Sequence, residues 1–311
     1  MCTAVSFLSG DSYFGRNLDL DRTYGERVVV IPREFAVKFL NGDVASRHYA
    51  VIGMANTVNG YPLFFDATNE KGLSCAALNF TGNAVYKKGR GKGYIASYEF
   101  ILWVLSLCDS VSIARDRIKK IKISDAPFSP ELSPTGLHFI VSDKTGSITV
   151  EQTGEGLKIY ENPIGVLTNN PVFPMHLMYI NNFAALSNKP PENNFSQGLE
   201  FTNYSNGLGA VSLPGDFSSM SRFVRAAFVK FNSVCSDNER ENVAQFFHIL
   251  EAAAVPAGSV ILPNGNIHKT VYSSCCNATK GIYYYKTYNN FTLNITDMHA
   301  FDLDGKELIE A

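Results

Sequence analysis

The sequence is short of charge. Asp, Glu, Lys and Arg make up 18% of its 311 residues and the net charge is −2; ordinary globular chains carry about a quarter charged residues. Without a basic balance, nucleic acid is excluded as a bulk electrostatic partner. No apolar run is long enough for a membrane-spanning helix, so none is expected. None of the six cysteines (Cys2, Cys75, Cys108, Cys235, Cys275 and Cys276) has zinc-ligand spacing, and no metal site is read from them. The start does not read as an export signal, because Asp11, Arg16, Asp19 and Asp21 interrupt it early. Scattered cysteines without such a signal lead to the expectation of a cytoplasmic protein with reduced thiols. Tryptophan is nearly missing: Trp103 stands alone on a predicted helix and is assigned to the core.

Hydrophobic residues are 45% of the chain, with 22 Phe and 15 Tyr, enough for a substantial core. The first third reads as strands: Ala4 to Leu8, Tyr13 to Asn17, Arg27 to Pro32, Tyr49 to Met54, Leu63 to Phe65 and Leu73 to Leu78. Helical spacing takes over at Ile95 to Leu107 and Val111 to Ile121. Strands return at Leu137 to Ser142, Ser147 to Glu151 and Leu157 to Glu161, the first two joined by a turn at Asp143–Gly146. A short helix is expected at Pro174 to Asn181, and longer ones at Ser219 to Asn232 and Glu239 to Ala254. The last strands are Lys269 to Asn277, Gly281 to Tyr288 and Phe291 to Ile295. Between them, residues 184–215 have little apolar periodicity and read as a long excursion. Strands, then helices, then strands suit one layered α+β domain over residues 1–311.

The chemistry is concentrated at the start. If Met1 is removed, Cys2 carries a thiol and an α-amino group on one residue, a nucleophile and a base together. A free thiol titrates near 8.5 and an α-amine near 7.7–8.0, close enough for proton exchange between them. Taken singly, the other polar residues have plainer readings. Arg16 and Asp19 suit a surface pair, Asn169 and Asn170 a turn before Pro171, Asn79 a strand end, and Arg222 the outer face of a helix.

Taken in order, they form a pattern. Met1-Cys2-Thr3, Phe14-Gly15-Arg16-Asn17 with Asp19, Asn69-Glu70-Lys71-Gly72-Leu73, Leu78-Asn79-Phe80, Leu167-Thr168-Asn169, and Leu213-Pro214-Gly215-Asp216-Phe217 with Ser221-Arg222-Phe223 run through nearly the whole chain. Glu151-Gln152-Thr153 fits as well. On these motifs the sequence resembles the choloylglycine hydrolase family, the bile salt hydrolases and penicillin V acylases. That resemblance implies an N-terminal nucleophile hydrolase with a four-layer αββα sandwich and no metal or organic cofactor. Cys2 would be the nucleophile. Arg16 would favour its thiolate, Asp19 would orient the α-amine, and Asn169 and the Asn79 N–H would receive the oxyanion. Arg222 would hold the network. Asn169 is chosen over Asn170 because it follows Leu167-Thr168.

Two substrate classes compete within the resemblance: bile salts conjugated to glycine or taurine, and phenoxymethyl penicillin. Asn79 within Leu-Asn-Phe resembles the bile salt hydrolase form, so a conjugated bile salt is the expected partner. Its steroid body would need an apolar pocket, expected from Leu18, Leu20, Ile52, Ala55, Phe65 and Leu137. The excursion at 184–215 falls where members of the family build a homotetramer. Rival readings are acyl transfer from the thioester to an amine, a binding protein without chemistry, and a papain-like pairing of cysteine with His138, His176 or His248.

Overall fold

A computed structural model describes all 311 residues. In chain order it runs β1 (Cys2–Ser9), β2 (Asp11–Leu20), β3 (Arg27–Ile31), β4 (Val37–Lys38), β5 (Val44–Ala45), β6 (Val51–Val58), β7 (Tyr61–Asn69), β8 (Ser74–Asn79) and β9 (Tyr94–Ala96). Then come α1 (Phe100–Leu107), α2 (Val111–Ile118), β10 (Lys122–Ser124), β11 (Leu137–Asp143), β12 (Gly146–Thr153), β13 (Gly156–Glu161), β14 (Val166–Leu167) and α3 (Phe173–Tyr179). The chain closes with α4 (Ser219–Phe231), α5 (Glu239–Glu251), β15 (Val260–Ile261), β16 (Ile267–Asn277), β17 (Ile282–Thr287), β18 (Asn290–Asp297) and β19 (Ile309–Glu310).

Two large sheets face each other. One is ordered β14-β1-β2-β16-β17-β18, with β15 beside β16; the other is ordered β13-β12-β11-β8-β7-β6-β3-β19. Helices α4 and α5 cover the first, and α1 and α2 cover the second, giving four layers in the order αββα. The strand sequences show why both faces are covered. Val28 and Val30 of β3, Ile52 and Met54 of β6, and Ala76 and Leu78 of β8 point into the core between the sheets. Their alternate neighbours Val29, Ile31, Val51, Ala55 and Cys75 point toward α1 and α2. A strand buried on both faces needs an unbroken apolar run rather than alternation.

One predicted helix starts late. The spacing places it from Ile95, whereas Tyr94–Ala96 pairs as β9 in parallel with β10, and α1 begins at Phe100. Apolar residues cover nearly every side of this segment, so periodicity does not separate strand from helix. Trp103 lies on α1 in the core. Residues 184–215 hold only a one-turn helix at Leu208–Ala210, with Phe195, Phe201 and Tyr204 well exposed. All six cysteines are free, and no helix is long and apolar enough to cross a membrane.

Candidate active site

β1 is interior to its sheet, between β2 and β14, with Cys2 opposite Leu18 and Ala4 opposite Arg16. This register places the start of β1 beside the motif on β2. Gly15 permits the arrangement, since a Cβ there would lie 1.9 Å from the Ser274 carbonyl oxygen of β16. The Cys2 side chain is buried.

The Arg16 guanidinium crosses from one sheet to the other. Nη1 donates to the carbonyls of Phe65 (2.9 Å) and Ala77 (2.6 Å), while Nη2 is buried without a protein partner. Burial works against this charge, but Cys2, Tyr272, Asp66 and Asp19 outweigh it and raise the pKa of Arg16. This places a fixed cation beside Cys2.

Asp19 is fully enclosed. Its Oδ1 accepts from Thr270 Oγ1 at 2.7 Å; its Oδ2 has no hydrogen-bond partner and lies 3.7 Å from Arg222 Nη1. Met1 continues the ladder, its nitrogen donating to Asp19 O at 2.9 Å and its carbonyl accepting from Asp19 N at 3.1 Å.

Asn169 is the junction of the site. Its Oδ1 accepts from Cys2 N at 2.8 Å and from Arg222 Nη2 at 2.7 Å, and its Nδ2 donates to Asn79 O at 2.8 Å. Each side-chain amide carries two N–H bonds, so one hydrogen of Nδ2 remains available. Asn170 turns away, donating to Thr81 O at 2.8 Å, so Asn169 is the one that meets Cys2.

Asn79 ends β8, its side chain closing a turn by accepting from Thr81 N. Its backbone matters more. Phe80 N–H donates to Gly136 O, so the adjacent Asn79–Leu137 pair is the non-hydrogen-bonded kind, and the Asn79 N–H points away from β11. On that side β7 stops pairing with β8 at Ala76, and Arg16 and Asn169 take the freed carbonyls of Ala77 and Asn79.

Arg222 is not on a solvent face. It is fully buried in the first turns of α4, where Nη1 donates to Cys2 O and Thr3 Oγ1 and Nε donates to Phe217 O at 3.0 Å. Burial lowers its pKa, with Asp19 and Cys2 opposing. The Asp216 motif explains the approach. Asp216 accepts from Ser218 N and Ser221 Oγ, which holds its pKa down to about 2, and Ser218 caps α4. This fixes the turn that offers Phe217 O to Arg222.

A cavity of about 260 Å³ opens onto Cys2 and Arg16. Leu18, Leu20, Phe65 and Leu137 line it, joined by Tyr24 and Phe128. Ile52 and Ala55 do not. Ile52 packs between the sheets and Ala55 packs under the helices. A larger cavity of about 680 Å³ beside Lys230 contains none of the residues around Cys2.

No imidazole bonds to Cys2. His138 contacts Glu151 and Thr168, His176 contacts Thr168 and Ser219, and His248 pairs with Glu251 on the surface. No group of three or more His, Cys, Asp or Glu side chains is placed to hold a metal. Ser219 and Thr270, which fix the site's polar groups, carry no local sequence signal because their partners are distant in the chain.

Two facing sheets between helices, with a cysteine opening an interior strand beside a buried Arg, Asp and Asn, define an N-terminal nucleophile amidohydrolase. The comparisons agree: the linear amide C–N hydrolases of the choloylglycine hydrolase family match residues 2–311, and the chain belongs to that family. It is 46% identical over 310 residues, 99% of this chain and 96% of the relative, to the bile salt hydrolase/transferase of Lactiplantibacillus plantarum. It is 40% identical over 316 residues, 99% of this chain and 95% of the relative, to the enzyme of the same name from Clostridium perfringens. A mutant conjugated bile acid hydrolase from Clostridium perfringens superposes with a TM-score of 0.92 at 38% identity, covering 100% of this chain and 96% of that one. The penicillin V acylase of Agrobacterium tumefaciens shares the fold, with a TM-score of 0.79 at 21% identity over 99% of this chain and 90% of its own. The protein is thus an enzyme, a hydrolase whose nucleophile is its N-terminal cysteine.

Proposed function

We propose that this enzyme hydrolyses the amide bond of glycine- or taurine-conjugated bile salts. The observation that carries the reading is Cys2 at the base of a largely apolar cavity, in a chain 46% identical to a bile salt hydrolase/transferase. With Met1 removed, the Cys2 nitrogen becomes an amine facing Asn169 Oδ1, and Asp19, whose Oδ2 has no hydrogen-bond partner, would orient and stabilise it. The amine takes the thiol proton, and the sulfur attacks the amide carbon. The unpartnered Arg16 Nη2 supports the thiolate. Negative charge developing on the carbonyl oxygen is received by the Asn79 N–H and the second hydrogen of Asn169 Nδ2. The intermediate collapses, the ammonium gives its proton to the departing glycine or taurine nitrogen, and a thioester remains. Water, deprotonated by the same amine, then releases the bile acid. Arg222 holds Cys2, Thr3 and Asn169 in register throughout.

Leu18, Leu20, Phe65 and Leu137 would face the steroid body. The thioester can also pass to an amino-acid amine, an activity consistent with the hydrolase/transferase name of two relatives. We read the chain as a single cytoplasmic domain that assembles as a homotetramer through the exposed aromatics of residues 184–215; light scattering of the purified protein tests the assembly. For the chemistry, protein with a free Cys2 is incubated with glycocholate, taurocholate and penicillin V in parallel. Release of glycine or taurine, with a trapped acyl adduct on Cys2, is the expected result. Turnover of penicillin V alone would overturn the bile salt reading.

A further inference from the structure

One buried imidazole joins the two segments that deliver Asn79 and Asn169. His138 on β11 is wholly enclosed. Its Nδ1 lies 3.1 Å from Glu151 Oε1 on β12, and its Nε2 lies 3.0 Å from the carbonyl oxygen of Thr168. Both neighbours are acceptors, whereas a neutral imidazole has a single N–H. Glu151 is itself fixed, both oxygens accepting from Phe173 N at 3.0 and 3.2 Å. The His138 ring stacks on Phe80, with centroids 4.3 Å apart and planes 7° from parallel.

Two of these contacts, to Thr168 and to Phe80, lead to the oxyanion side of the site. The Thr168 carbonyl belongs to the peptide that continues into Asn169, and the N–H of that same peptide donates to Ser219 Oγ at 2.7 Å. The peptide is pinned at both ends of its plane, and the Asn169 side chain leaves from it. Phe80 directly follows Asn79, so the stacked ring fixes the end of β8. If the imidazole is lost, the Thr168 carbonyl is left unpaired in the interior and must turn to find another donor. Displacements of about 1 Å cost about a hundredfold in rate when they disturb reacting geometry.

We propose that His138, held by Glu151, is a positioning residue that sets the separation between the Asn79 N–H and the Asn169 side-chain amide. The proposal rests on the oxyanion roles given to those two residues above. His138 meets neither substrate nor Cys2; it acts through Thr168 and Phe80.

The test uses full-length enzyme with a free Cys2 and the amide that the parent enzyme turns over fastest. A wrong substrate class then shows in the parent, and a wrong positioning role shows only in the variants. His138→Phe keeps a ring over Phe80 and removes both hydrogen bonds; Glu151→Ala removes the partner. Glu151→Gln can donate to Nδ1 while accepting from Phe173 N, leaving Nε2–H for Thr168. Three quantities are measured on folded protein: kcat, KM and the rate of Cys2 alkylation by iodoacetamide. Alkylation generates no oxyanion, so it reads the thiolate alone. His138→Phe and Glu151→Ala are expected to lower kcat about 10- to 100-fold with KM and alkylation within about twofold of the parent. Glu151→Gln is expected to recover most of the kcat lost in Glu151→Ala. If His138→Phe does not fold, His138→Gln, which keeps one donor, is expected to lower kcat about three- to tenfold in the same pattern. Unchanged kcat in a folded His138 variant, alkylation falling in parallel with kcat, or no recovery in Glu151→Gln would each overturn the proposal.

Discussion

The side chain of Asn169 accepts a hydrogen bond from the backbone nitrogen of Cys2 at 2.8 Å. While Met1 is attached, that nitrogen is a peptide nitrogen and cannot take a proton; once released, it is an amine already facing its acceptor. Protein made to retain Met1, with its methionine aminopeptidase inhibited during expression, is expected to lose about 10²- to 10⁴-fold in kcat, the usual worth of a positioned base. Intact mass verifies retention and circular dichroism verifies the fold. Full activity in Met1-bearing protein would remove the α-amine from the mechanism.

Arg222 meets four acceptors, Cys2 O, Thr3 Oγ1, Asn169 Oδ1 and Phe217 O, and stands 3.7 Å from Asp19 Oδ2. Arg222→Ala leaves those groups and a buried carboxylate uncompensated. The expected loss of stability is about 3–5 kcal/mol, read from urea unfolding at pH 7. A loss below about 1 kcal/mol, the worth of an exposed pair, would mean that solvent reaches Asp19 after all.

Leu20 and Ile52 separate pocket from core. Ile52→Ala removes a fully buried side chain between the sheets and is expected to cost about 2–5 kcal/mol without changing KM. Leu20→Ala is expected to cost less stability and to raise KM up to about tenfold, each buried methylene being worth about 0.8 kcal/mol. Denaturation and steady-state kinetics on the same two variants decide; a KM effect at Ile52 would extend the pocket into the core.

His176 sits beside Thr168 Oγ1 and Ser219 Oγ, and burial first, then His138 and Arg222, lowers its pKa to about 4. In the unfolded chain it titrates near 6.5. Between those values the unfolded state binds the extra proton. Its contribution is therefore complete above about pH 6.5 and is lost as pH falls toward 4, on the order of 3 kcal/mol in total. His176→Gln is expected to be less stable than the parent at pH 7 but to lose less between pH 6.5 and 4. Urea midpoints at pH 7, 5.5 and 4.5 supply both slopes, and parallel slopes would refute a neutral His176.

The sheets were legible because strands such as Val28–Ile31 are apolar on both faces, which a strand between two covered faces requires. The same property hid the pocket. An apolar residue on such a strand reads alike whether it faces the other sheet, a helix or a cavity, so Ile52 and Ala55 looked equivalent to Leu18 and Leu20. Cys2 stood out by its position, and Asn169 and Arg222 by the order of the motifs around them. Nothing local marked Thr270 or Ser219, each a lone polar residue whose partner is far along the chain. Without that order Arg222 reads plainly, since an arginine on a helix looks solvated until α4 is seen to press its first turns onto β1.

Met1 is tied to Asp19 through both of its backbone polar groups. A peptidase that trims from the chain end needs that residue loose and extended, a condition met before β1 settles between β2 and β14 and withdrawn afterwards. Trimming is therefore expected during synthesis and folding, and a molecule that folds with Met1 in place is expected to be an inert copy of the enzyme. The active fraction of a preparation is then expected to record a race between trimming and folding, and to match the share of Met1-free protein in its intact mass.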